Sequence, residues 1–249
     1  MTIVGGNGLL YTLTFKRQID KDTGVIGVEP TIEIYRSQGS DEDVAVDSAL
    51  AAYGELAYYA NNGGILQCVN LNTLTPVWAV DLGADTDAAL ALDGAGDQVA
   101  LYALSLADEN GFGHVRRLDA LTGEVAWDIT VSGDIKAAPL VGVQGLADLL
   151  IIAAEDEQAV YALDKNTGAV VWERPVQARP SSPIALYTAE GVGYVAVGDS
   201  TGLYLLDGLT GEELHFLAIE GGVVGSPAAF DEMILLSSDD GQLHALRVK

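Results

Sequence analysis

The sequence predicts an all-β fold: a β-propeller of four-stranded antiparallel blades, about six in number, with four complete blades and a partial blade at each end. Three observations predict it. A short motif recurs every 43 to 50 residues, which is the period of a propeller blade or a solenoid repeat. Between the copies lie short runs rich in Val, Ile, Leu and Tyr and bounded by Gly, Asp and Ser, which are strand signals. No segment shows the periodicity and caps of a helical repeat.

The repeated motif reads Asp, two residues, Thr-Gly, three residues, Trp. It is complete at 119–127 and 164–172, and three other copies keep part of it. Successive copies begin 50, 49, 45 and 43 residues apart, and all three tryptophans of the chain occupy one position of the motif. The motif residues, in chain order, are Asp20, Thr23 and Gly24; Asn70, Thr73 and Trp78; Asp119, Thr122, Gly123 and Trp127; Asp164, Thr167, Gly168 and Trp172; and Asp207, Thr210, Gly211 and His215.

Each copy is predicted to form the hairpin between the third strand of a blade and its fourth, outermost strand. Gly takes the positive φ of a tight turn at no steric cost, and the Asp and Thr side chains can hydrogen-bond the turn's backbone. The Trp is expected to pack between neighbouring blades, with its indole N–H bound to a carbonyl. His215 replaces that Trp in the last copy, and we expect its ring to fill the same slot.

The ends of the chain bear on how the blades are counted. Residues 1–249 are interpreted as one propeller domain. Residues 1–13 align with residues 232–246, so the chain begins at the second strand of a blade and stops after the third strand of the last one. Two arrangements stay open: a ring closed by two short blades, or a longer chain with further blades upstream.

The pattern Asp-x-x-Thr-Gly-x-x-x-Trp resembles the tryptophan-docking repeat of the pyrroloquinoline-quinone-type (quinoprotein-like, BamB-like) β-propellers, over residues 13–249. The resemblance implies one of two functions. Quinone-dependent dehydrogenases hold a quinone and Ca²⁺ at the axis of seven or eight blades, with a catalytic Asp and often a vicinal Cys pair. BamB-like propellers are binding scaffolds of outer-membrane assembly. The resemblance also implies an extracytoplasmic location (periplasmic, cell-surface or secreted), although the N-terminus reads as no signal peptide.

Catalytic and metal-binding residues are not evident. Cys68 is the only cysteine, so a vicinal pair is impossible. The repeated Asp residues are assigned to turns far from the axis. Asp20 to Gly24 have the opening of a calcium loop, but Thr31 stands where its Glu ligand would be. The three histidines lack metal-ligand spacing. We therefore expect no catalytic residue, no cofactor and no metal.

These observations favour a non-catalytic scaffold that presents loops to a protein, peptide or glycan partner in the cell envelope or outside the cell. The alternative is an enzyme, either quinone-dependent or with an unrecognised site on the axial face. Residues near the starts of the innermost strands would then face the ligand, among them Lys136, Ser182 and Ser226.

The charge balance excludes two classes of partner. The chain has 12 basic and 36 acidic residues, a net charge of −24. Such a surface repels nucleic-acid phosphates and anionic lipid head groups, and no apolar run approaches the roughly 18 residues of a membrane span. We expect neither nucleic-acid binding nor membrane insertion. An ordinary acidic surface and adaptation to high salt both stay open.

Overall fold

The computed structural model describes residues 2–37, 44–230 and 233–248. In these ranges the regular structure is all β apart from one 3₁₀ turn, Gln144–Leu146, and the strands form six antiparallel sheets. Four sheets have four strands, and the first and last have three. The predicted class, a β-propeller of about six blades with four complete and two partial, is confirmed.

Each sheet is built from strands that follow one another in the sequence. Sheet 1 contains β1 (Thr2–Val4), β2 (Leu9–Ile19) and β3 (Ile26–Arg36). Sheet 2 contains β4 (Ala51–Tyr53), β5 (Leu56–Ala60), β6 (Ile65–Asn70) and β7 (Thr75–Asp81). Sheet 3 contains β8 (Ala91–Ala95), β9 (Gln98–Leu104), β10 (Phe112–Asp119) and β11 (Val125–Ser132). Sheet 4 contains β12 (Leu140–Val141), β13 (Leu149–Ala154), β14 (Ala159–Asp164) and β15 (Val170–Pro175). Sheet 5 contains β16 (Ile184–Tyr187), β17 (Gly193–Gly198), β18 (Gly202–Asp207) and β19 (Glu213–Ala218). Sheet 6 contains β20 (Val224–Phe230), β21 (Met233–Ser237) and β22 (Leu243–Arg247).

The contacts divide the chain into two compact units, Met1–Asp85 with sheets 1 and 2, and Thr86–Lys249 with sheets 3 to 6. The interpretation of the whole chain as one domain stays a prediction. In the second unit, apolar clusters fill the spaces between successive sheets. Strand β13 is buried along its whole length, because its side chains pack against a neighbouring sheet on either face. This explains its unbroken apolar sequence, Leu149–Ala154.

A β-bulge distinguishes the motif hairpins of sheets 2 to 5 from that of sheet 1. In sheets 2 to 5 the register between the third and fourth strands shifts just before the motif Asp or Asn. Because of the shift, Trp172 lies opposite Ala162, two residues before Asp164. Strands β2 and β3 pair without a shift, so Val28 lies opposite Arg17. Val28, which occupies the Trp position of the motif in the sequence, is therefore on the opposite face of its sheet from the tryptophans.

Candidate functional site

The motif hairpins share one hydrogen-bond pattern. In sheet 3 the N–H groups of Leu121 and Thr122 donate to Oδ1 of Asp119, both at 2.9 Å. The Thr122 hydroxyl donates to the same oxygen at 3.1 Å. Gly123 has a φ of +77°, and its N–H donates to the carbonyl of Asp119 at 2.8 Å. The motif therefore forms a self-contained turn.

The same turn recurs in sheets 4 and 5. Asp164 and Asp207 each accept two backbone N–H groups and the hydroxyl of the motif Thr. The hydroxyl and N–H of Thr167 hold the pKa of Asp164 below its usual range. Each of these carboxylates is thus engaged by its own turn, which leaves it poorly suited to act as a general base.

Sheets 1 and 2 keep the turn in spite of their incomplete motifs. Asp20 accepts the N–H groups of Asp22 and Thr23, and the Thr23 N–H lowers the pKa of Asp20. These bonds assign Asp20 to a hairpin, as in the other copies. Asn70 makes the equivalent bonds in sheet 2, where Leu74 stands in the place of Gly and has a φ of +50°. A leucine in this left-handed conformation is strained by about 1–2 kcal/mol.

The tryptophans of sheets 3 and 4 dock on the motif hairpin of the following sheet. The indole N–H of Trp127 donates to the carbonyl of Lys165 at 3.0 Å, and that of Trp172 to the carbonyl of Gly208 at 3.0 Å. A methyl group on Gly168 would lie 2.9 Å from the Trp127 ring, and one on Gly211 would lie 2.7 Å from the Trp172 ring. Glycine is therefore needed twice over, for its positive φ and for the close approach of the ring.

Trp78 belongs to the first unit, where its ring lies 5.9 Å from that of Tyr58. Its equivalence to the other two tryptophans stays a prediction.

His215 departs from the prediction. The sequence suggested a ring buried between blades, but His215 is exposed. The described residues of sheet 6 include no Thr-Gly hairpin on which the ring could pack. His215 instead lines an open cleft between sheets 5 and 6.

This cleft, the sheet 5–6 cleft, has a volume of about 1340 Å³. Most of its lining is apolar, with Leu205, Leu214 and Leu217 from sheet 5 and Phe230, Met233 and Leu246 from sheet 6. Leu214 is 46% exposed and Phe230 is 74% exposed. Sequence reasoning missed these residues, although the missing tryptophan at position 215 was a signal that this pair of sheets packs differently.

Strand β22 (Leu243–Arg247) contributes to the same region. It pairs with β21 alone, so its second edge is unpaired within the described part of the chain. An unpaired strand edge presents free N–H and C=O groups to any extended chain that approaches it. An apolar cleft beside such an edge is an arrangement that can bind a peptide by β-strand addition.

The first strands of sheets 3 to 6 line a second, smaller groove of about 550 Å³. Ser182 and Ser226 line it, together with Ala91, Leu140 and Ile184. The Ser182 hydroxyl accepts the Ala138 N–H at 2.9 Å, which gives it a structural role. Lys136 is not part of this lining, and its ammonium group lies 3.4 Å from Asp134.

A partly buried ion pair, which the sequence did not indicate, joins sheets 3 and 4. Lys165 is 6% exposed, and its ammonium group donates to Asp93 at 2.8 Å and to the carbonyl of Gly142 at 2.7 Å. Since the Lys165 carbonyl also accepts from Trp127, this residue reinforces the docking of sheet 3 on sheet 4.

Burial raises the pKa of the Cys68 thiol to about 12, so it is neither a nucleophile nor a ready metal ligand. Among residues 2–37, 44–230 and 233–248, no three His, Cys, Asp or Glu side chains are grouped so as to hold a metal ion. No helix in these ranges has the length and hydropathy needed to cross a membrane.

The family described as outer membrane protein assembly factor BamB matches residues 61–159 and 155–249, which is more than half of the chain. The outer membrane protein assembly factor BamB of Xanthomonas campestris pv. campestris is 25% identical over 208 residues, 78% of this chain and 46% of that protein. The chain therefore spans about half the length of this relative.

Solved structures show the same fold. BamB from Moraxella catarrhalis superposes with a TM-score of 0.65 at 19% identity, over 81% of this chain and 61% of that one. A europium-containing methanol dehydrogenase superposes with a TM-score of 0.61 at 12% identity, over 85% and 49%. At such identities the likeness is one of fold alone.

Proposed function

Because this chain belongs to the family described as outer membrane protein assembly factor BamB, we propose that it is a non-catalytic scaffold outside the cytoplasm that binds a protein during the assembly of outer membrane proteins. The observation that carries the proposal to particular residues is the sheet 5–6 cleft, which lies beside an edge of β22 that no strand of the described residues pairs with. The family description favours a protein partner over a glycan.

The partner's chemistry follows from the shape of this site. The edge of β22 offers main-chain hydrogen bonds to an extended segment, and the cleft accepts apolar side chains on one face of that segment. Strands of outer-membrane barrels alternate apolar and polar residues, so one face of such a strand, before it folds, matches the cleft. Main-chain bonds supply affinity in this mode, and the side-chain pockets supply specificity.

The rest of the second unit holds the site in place. Trp127 and Trp172 fasten sheets 3, 4 and 5 to one another, and the hairpins on which they dock are closed by the hydrogen bonds of their Asp and Thr side chains. A site that binds by strand addition benefits from a preformed edge, since less conformational entropy is lost on binding.

A peptide-binding experiment tests the proposal. A fluorescent peptide that copies one strand of an outer-membrane barrel is titrated with the 249-residue chain, and binding is followed by anisotropy. Phe230→Ser or Leu214→Ser should weaken binding at least about tenfold, which corresponds to about 1.4 kcal/mol. Leu209→Ser is the matched control, because Leu209 is 57% exposed and does not line the cleft.

A second peptide separates strand addition from simple apolar adsorption. Proline at alternate positions removes the N–H donors that pair with a strand edge, so this peptide should not bind. Equal affinity for both peptides, or equal losses in the Phe230 and Leu209 variants, would contradict the proposal.

A further inference from the structure

The hairpin of sheet 1 is a long, regular ribbon. Strands β2 and β3 each have 11 residues, and they pair without a bulge from Leu9↔Arg36 to Ile19↔Ile26. Strand β1 pairs with β2 only as far as Thr12. From Thr14 to Thr31, within the described part of the chain, the ribbon is a two-stranded hairpin with which no third strand pairs.

The two faces of the ribbon differ in character. Cross-strand pairs share a face and successive residues alternate. One face, here called the apolar face, carries the following exposed side chains: Phe15, Ile19, Ile26, Val28, Ile32 and Ile34. The opposite face carries the following: Thr14, Lys16, Gln18, Glu29, Thr31 and Glu33. Leu10 and its partner Tyr35, on this opposite face, pack against residues of sheet 2, so the apolar face is turned away from sheet 2.

The apolar face is large enough for a stable interface. Its six side chains are between 51% and 65% exposed, and together they present on the order of 600 Å² of apolar surface. A contiguous patch of this size marks an interaction surface, whereas a single exposed hydrophobic residue does not. If two such faces met, about 1,200 Å² would be removed from water, which reaches the lower bound of specific protein–protein interfaces.

The charge of the ribbon identifies the occupant. The whole chain has a net charge of −24, but the net charge of residues 9–36 is zero. Their four cations are Lys16, Arg17, Lys21 and Arg36, and their four anions are Asp20, Asp22, Glu29 and Glu33. Two copies of so acidic a chain repel each other almost everywhere. The ribbon is a place where they can approach without that opposition.

We propose that the apolar face of the ribbon binds the same face of a second copy of this chain, forming a two-fold symmetric dimer. In a two-fold interface each subunit contributes the same patch. Val28 lies near the middle of the two-stranded part of the ribbon, so in this dimer it lies close to the two-fold axis. Between Leu13 and Ile32, Arg17 is the charged residue on this face, and its long aliphatic stem lets the guanidinium reach water at the open edge of β2. The ribbon belongs to the first unit and the peptide site to the second.

The oligomeric state of the 249-residue chain tests this proposal. Sedimentation velocity over a range of protein concentrations should show a reversible monomer–dimer equilibrium. Val28→Thr combined with Ile32→Thr should raise the dimer dissociation constant at least about tenfold, while threonine preserves the strand. Glu29→Gln combined with Thr31→Ser, on the opposite face of the same strand, should leave that constant unchanged.

Disulfide cross-linking tests the symmetry of the dimer. The only native cysteine, Cys68, is buried, so an introduced surface cysteine is the accessible thiol. Under mild oxidation with copper phenanthroline, Val28→Cys should give a covalent dimer and Glu29→Cys should not. A chain that stays monomeric, a dimer insensitive to the Val28 and Ile32 changes, or a ribbon that binds only extended peptides would each overturn the proposal.

Discussion

Replacing Trp172 with alanine tests whether the motif tryptophans hold neighbouring sheets together. The ring is 7% exposed, and its N–H bonds to the carbonyl of Gly208. Truncation leaves a cavity and an unpaired carbonyl. Removal of a large buried aromatic side chain costs about 3–5 kcal/mol, of which the lost hydrogen bond accounts for about 1 kcal/mol. We therefore expect the free energy of unfolding to fall by about 3–5 kcal/mol and the melting temperature to fall by roughly 6–20 °C.

Urea unfolding followed by far-ultraviolet circular dichroism is the suitable assay, because tryptophan fluorescence changes with the substitution itself. Trp172→Phe is the matched variant: it keeps an aromatic ring and loses the N–H donor, so it should cost less than the alanine variant. An alanine variant within about 0.5 kcal/mol of the parent protein, the usual range for surface changes, would refute the docking argument.

Four other predictions follow from the hairpins and the charge. Gly211→Ala should destabilise the chain more than Gly24→Ala, because both glycines have a φ of +70° but only the methyl group at 211 would meet a tryptophan ring; equal losses in urea unfolding would show that the turn alone needs glycine. Leu74→Gly should raise the free energy of unfolding by about 1 kcal/mol, since it relieves the left-handed leucine; a lower value would contradict the assigned strain. The pKa of Asp164 is lowered in the folded state from 3.8, so the stabilisation that its carboxylate provides is complete above that pH and is lost as the pH falls through the lowered pKa. Asp164→Asn should therefore reduce the loss of stability that occurs below about pH 4. An unchanged dependence of stability on pH below about 4 would contradict this prediction. The melting temperature should rise with NaCl, most steeply at the low end, as the Debye length falls from about 30 Å at 0.01 M to about 3 Å at 1 M; a flat or falling series would show that repulsion among the net charge of −24 does not limit stability.

The motif turns were predictable because their information is local. The hydrogen bonds of Asp119, Thr122 and Gly123 lie within a single hairpin, so the spacing of these residues in the sequence is sufficient to indicate them. The period of the motif likewise indicates the number of sheets, and the docking of Trp127 and Trp172 follows from the stacking of similar sheets.

The cleft and the ribbon were not predictable because each depends on a feature that the motif does not encode. His215 is exposed because of what the neighbouring sheet presents to it, and its own sequence neighbourhood resembles that of the docked tryptophans. The ribbon depends on the absence of a β-bulge between Gln18 and Asp20, which reverses the face on which Val28 lies. A one-residue change of register carries no mark in the composition of either strand.

The most direct test of the proposed function is hydrogen exchange at β22 in the presence of an unfolded outer-membrane barrel protein. Strand addition predicts that backbone N–H groups of Leu243–Arg247 on the free edge become protected when the partner binds, because they donate to its carbonyls. Phe230→Ser should reduce this protection and Leu209→Ser should not. Binding that protects no N–H group of β22, or no binding at all, would contradict the proposal that this propeller acts as a scaffold through the edge of sheet 6.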